Sequence, residues 1–74
     1  MRRGEMRAML LTAARSEGAG ALLCVRPNGD TTPAQLNDFV RGALTGWAEY
    51  LRYETTDVHG NIYIRVRAVP PTLQ

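Results

Sequence analysis

The sequence predicts a small α+β domain: a sheet of about three strands, antiparallel or mixed, packed against one long amphipathic helix, with an N-terminal helix or strand. Three observations predict it. A set of helix-start signals at Thr32 is followed by apolar residues at helical spacing. The segment Asn61 to Val69 alternates at a period of two, with one side wholly apolar and the other mainly polar. The chain has 74 residues, room for one domain, 1–74, with its ends at about 1–4 and 70–74 expected to fray.

The helix start is the sharpest local signal. Thr32 can cap an orphan amide with its hydroxyl. Pro33 falls at the first helical position, where its missing N–H is not needed. Gln35 can reach back to the cap residue and complete a capping box. From there Leu36, Phe39, Val40, Ala43, Leu44, Trp47, Tyr50 and Leu51 fall on one half of a helical cylinder. Asn37, Asp38, Arg41, Thr45, Glu49 and Arg52 fall on the other. This periodicity predicts a helix from about Pro33 to Arg52.

In the last strand Ile62, Ile64, Val66 and Ala68 point one way, and Tyr63, Arg65, Arg67 and Val69 the other. Pro70-Pro71 ends it, because proline cannot donate to a ladder. His59-Gly60 reads as a turn, so Tyr53 to Val58 is a short strand completing a hairpin. Ala21 to Arg26, bounded by Gly20 and Pro27, reads as a buried strand. Glu5 to Ser16 favours helix on propensity, against a hairpin over Ser16 to Gly20. Met6 and Met9 are alternative starts, which would make the first residues dispensable.

Composition excludes several classes. Cys24 is the only cysteine, so no intrachain disulfide exists, and a reducing, cytoplasmic setting is expected. Cys24 reads as a small buried hydrophobe within its apolar run. A structural metal is not expected, since Cys24 and His59 are far apart in sequence and zinc wants four ligands. No cofactor motif is present. No apolar stretch approaches the length needed to span a bilayer. All nine basic residues are arginine, and the abundance of Ala, Gly, Arg and Pro suggests a GC-rich bacterial or phage source. The net charge of +2 is too small to make nucleic-acid binding the default.

Among ionisable residues, Glu54, Asp57 and His59 are close enough in sequence to share an acid–base site. No nucleophile accompanies them and the chain is short for an enclosed pocket, so the expectation is no enzyme. The partner-binding candidates are Tyr63, Arg65 and Arg67 on the outer strand face, with Arg41 and Arg52 on the exposed helix face. Tyrosine and arginine are typical contact residues. A protein partner is favoured over nucleic acid, which the same Tyr63/Arg65/Arg67 face could also meet by stacking and phosphate contact. Gly42 and Gly46, four apart, imply close backbone approach. That approach is expected within the chain first and to a second helix next; with Tyr50 the pair marks a candidate self-association border, and monomer and homo-oligomer stand evenly matched. Trp47, Tyr50, Tyr53 and Phe39 read as core aromatics. The sequence thus points to a small non-enzymatic protein-binding module, of accessory or inhibitory type.

Overall fold

The computed structural model describes residues 2–54 and 57–71. The element order is α1 (Arg3–Glu17), β1 (Leu22–Val25), α2 (Pro33–Ala43), a short 3-10 turn (Ala48–Tyr50), β2 (Leu51–Tyr53) and β3 (Ile62–Val66). This is an α+β fold with two helices and a three-stranded sheet. The strand order is β1-β3-β2, and both pairings are antiparallel. The hairpin strand β3 is central, and β1 and β2 are the edges.

Glu5 to Ser16 is helical, as propensity favours, and α1 runs one or two residues further at each end. Met6, Leu10 and Ala14 recur every four residues along it and are fully buried. Met6 is therefore a core residue, and a chain starting at Met9 would lack it. Arg3 and Gly4 belong to the helix rather than to a frayed end. At the other terminus Pro70 is buried, while 72–74 lie outside the described residues.

The capping box forms as its residues dictate. The Thr32 hydroxyl accepts from the Gln35 amide at 3.1 Å, and the Thr32 amide donates to Gln35 Oε1 at 2.9 Å. We expect Thr32→Ala to lower stability by about 1 kcal/mol. A chemical denaturation curve superimposable on that of the unsubstituted protein would show that the cap contributes nothing.

The helix from Thr32 is shorter than its periodicity suggests. It stops at Ala43, and Gly46 takes φ of 91° in the turn that follows. A side chain is strained there, so the glycine ends the helix. Leu44, Trp47 and Leu51 are still buried, but from a turn, the start of the 3-10 turn and β2 in succession. Arg52 lies on β2, not on a helix.

Gly42 therefore lies on α2 and Gly46 in the turn beyond it. Each has an intramolecular reason. A Cβ on Gly42 would meet the Arg3 guanidinium at 2.9 Å. Gly46 supplies the positive φ. Tyr50, the third member of that border, is half-buried against the core, and its carbonyl accepts from the amides of Arg67 and Ala68.

One hydrophobic cluster joins both helices to one face of the sheet. Leu36, Val40 and Ala43 come from α2; Leu51, Ile62, Ile64 and Val66 come from the strands. Phe39, Tyr50 and Tyr53 pack partly buried around it, with Trp47 inside. Strand β3 is shorter than Asn61 to Val69, because the chain bends after Val66. The hairpin partner is Leu51–Tyr53 rather than Tyr53 to Val58, and 55 and 56 lie outside the described residues.

Candidate functional site: the open face of the sheet

The alternation in β3 buries Ile62, Ile64 and Val66 and turns Tyr63 and Arg65 to the opposite face. Register extends this face across all three strands. Leu22, Arg65 and Arg52 form one cross-strand row. Cys24 and Tyr63 form the next, with Glu54 bonded through its amide to the Tyr63 carbonyl at 2.7 Å. Both helices pack on the other face, so among the described residues no helix covers this one. Cys24 is consequently exposed, which corrects its reading as a buried hydrophobe. The run Leu22–Val25 is apolar on both faces, so alternation gave no clue to which side was wet.

The face is pinned by two acids. Glu54 Oε1 accepts from Arg65 Nε at 2.8 Å. The same guanidinium reaches the opposite edge, where Nη1 donates to the Gly20 carbonyl at 2.9 Å. Arg65 therefore ties β2 to the entry of β1, and is more than an outward contact. Arg52 and Arg65 are directly opposite, a repulsive pairing in isolation. Glu54 lies between these charges, and the hydrogen bond from Arg65 holds its carboxyl below the ordinary range.

Asp57 organises the hairpin tip. Its Oδ1 accepts from the amides of His59 and Asn61, and its Oδ2 from Asn61 Nδ2 and the Tyr63 hydroxyl, the last at 2.7 Å. The Tyr63 hydrogen bond, with those from Asn61 and His59, lowers the Asp57 carboxyl to about 2. The same bond raises the Tyr63 hydroxyl. Asp57 thus touches His59 through the His59 backbone amide, while Glu54 is bonded to Arg65. Both carboxyls are engaged in structural bonds and stay ionised near neutral pH, so neither is poised to donate a proton.

The depressed Asp57 carboxyl has a consequence in acid. The unfolded chain takes up this proton near pH 4, the folded protein only near 2. Stability present above about pH 4 is therefore lost as the pH falls toward 2. We expect thermal midpoints to drop through that window, and Asp57→Asn to flatten the drop. Identical acid profiles for the two proteins would contradict the role given to Asp57.

The five partner-binding candidates do not share one surface. Tyr63, Arg65 and Arg52 lie on the open face. Arg67 is exposed just beyond β3. Arg41 is elsewhere: it stacks at 4.2 Å over the ring of Tyr53, which points to the helix layer, and its Nε donates to Asn37 Oδ1 at 3.1 Å. Glu54, Cys24 and Leu22 join the face without having been expected there. Among the described residues, no group of three or more His, Cys, Asp or Glu is placed to hold a metal ion. Among the same residues no helix is long and apolar enough to cross a membrane.

Neither protein-family models, nor curated proteins, nor solved structures include one that matches this chain.

Proposed function

We propose that the chain is a non-enzymatic protein-binding module of the cytoplasm, of accessory or inhibitory type, which presents the open face of its sheet to a protein partner. One observation carries this reading: Tyr63 and Arg65, side chains typical of contact centres, are held in fixed positions on an uncovered face by Asp57 and Glu54. A contact group fixed in advance loses less freedom on binding. Leu22 and Cys24 add apolar area beside them, and Arg52 adds a charge for a partner carboxylate.

The mixed charge favours protein over nucleic acid. Two ionised acids sit among the arginines, and a carboxylate beside a guanidinium weakens its attraction for phosphate. A nucleic-acid face would ordinarily present the basic groups alone. The test is affinity capture from cell lysate with the purified chain as bait, with and without nuclease. A protein retained after nuclease treatment, at an affinity that changes little with salt, supports this reading. Capture that disappears with nuclease, or affinity that falls steeply with salt through counterion release, would replace it with the nucleic-acid one.

A further inference from the structure

We propose that the recess between the two helices and the C-terminal end of β1 binds a small monocarboxylic acid with an aromatic or branched aliphatic body, its carboxylate held by Arg26. The recess lies on the helix side of the sheet, so this inference does not depend on the partner proposed for the open face.

The floor is apolar. Met6 of α1, Val25 of β1, and Leu36 and Phe39 of α2 supply it. Its volume is about 500 Å³, within the roughly 300–1,000 Å³ of sites that take small molecules. Met6 and Leu36 are buried, whereas Val25 and Phe39 pack only partly covered against the core. Val25 turns to the helix side as the last residue of its strand, and Phe39 sits at the border of the α2 apolar arc. Neither finds enough neighbours there to be sealed from water. Apolar surface at the bottom of a concave site is what a ligand body covers.

The rim selects the sign of the ligand. Arg26, Asn28, Thr31 and Gln35 stand around the floor, and no acidic residue lines the recess. Gln35 Oε1 already accepts from the Thr32 amide at 2.9 Å. That bond orients the carboxamide, so its NH2 is the group Gln35 has left to offer. Asn28 brings a second NH2 and Thr31 a hydroxyl. Arg26 makes no ion pair or hydrogen bond among the described residues. Arg65, by contrast, is neutralised by Glu54. A guanidinium is a planar fork of donors that grips a carboxylate through two parallel hydrogen bonds. One cation among uncharged donors fits a monoanion. A dianionic phosphate finds no second cation in the lining.

The polar side is fixed in advance. The Thr31 amide donates to the Asn28 carbonyl at 3.0 Å and closes the turn. The capping box holds Gln35. The hairpin tip packs against the prolines at both ends of this loop: a Cβ on Gly60 would lie 3.1 Å from Pro33 Cγ and 4.0 Å from Pro27 Cγ. Groups held in this way lose little freedom when a ligand arrives.

Nitrogen–proton correlation spectra of the full chain, titrated with hydrocinnamate and separately with isovalerate, test the proposal. The amide signals of Val25, Arg26, Asn28 and Gln35 should shift together and saturate, and those of Tyr63 and Arg65 on the opposite face should stay in place. Acetate, which lacks the body, should give no saturable shift over the same concentrations. Hydrocinnamamide, which keeps the body and lacks the charge, should bind about tenfold more weakly than hydrocinnamate. Arg26→Gln should weaken hydrocinnamate by a similar factor and leave the affinity for the neutral amide unchanged. Arg26 is exposed, so its replacement should leave the thermal midpoint nearly unaltered. An Arg26→Gln variant that binds hydrocinnamate as tightly as the unsubstituted protein would overturn the proposal. So would equal affinity for the acid and its amide, a saturable shift with acetate, or none with either larger acid. Tighter binding of phenyl phosphate than of hydrocinnamate would overturn the assignment to a carboxylate.

Discussion

Trp47→Ala is expected to unfold the domain. Trp47 is 3% exposed and sits where α2 has ended and β2 has not begun. It belongs to the same buried cluster as Leu44 and Leu51. The Arg7 guanidinium lies 4.8 Å from its centroid, and Arg7 Nη2 donates to the Thr45 carbonyl at 2.9 Å. Arg7 therefore joins α1 to the turn that carries the tryptophan. Truncating such a ring costs about 3–5 kcal/mol. Small domains hold only about 5–15 kcal/mol in total, and 74 residues lie at the low end of size. The variant should lose its cooperative thermal transition by circular dichroism, whereas Trp47→Phe should keep one. A cooperative Trp47→Ala variant with a midpoint near that of the unsubstituted protein would place the ring outside the core.

The second large effect concerns the open face. Replacing both Arg65 and Arg67 with serine should weaken partner binding by roughly ten- to thirtyfold, the effect of removing a contact-centre side chain. Arg65 also bridges Glu54 and Gly20, so its loss loosens the sheet as well as the contact. Arg52→Ser/Arg67→Ser separates the two effects. Both side chains are exposed, and such changes usually shift stability by no more than about 0.5 kcal/mol. The pair should bind more weakly while unfolding normally. A fall in affinity confined to DNA or RNA at low salt would instead support a nucleic-acid target.

Much of the fold is legible in the sequence where local chemistry and burial agree. Thr32, Pro33 and Gln35 mark a helix start through bonds made within four residues. Ile62, Ile64 and Val66 mark a strand because one face is core. The misreading of 44–52 has a physical cause. Periodicity reports which residues are buried, and Leu44, Trp47, Tyr50 and Leu51 keep helical spacing while a turn and a strand bury them. Gly46 carried the contrary signal, since a glycine there ends a helix more readily than it packs one.

The candidate site was half legible for the same reason. Alternation alone turns Tyr63 and Arg65 outward. Their partners Asp57 and Glu54 lie 6 and 11 residues away and reach them only through the hairpin register. No periodicity encodes that meeting. Arg41 shows the converse: an exposed helical arginine reads as available, and its stacking on Tyr53 depends on where β2 ends up.

The claim that the open sheet face is the contact surface is tested most directly by the affinity of the Arg52→Ser/Arg67→Ser variant for the protein captured after nuclease treatment. Isothermal titration should show weaker binding with an unchanged thermal midpoint of the variant. Full affinity in that folded variant would contradict the account and place the contact elsewhere on the molecule.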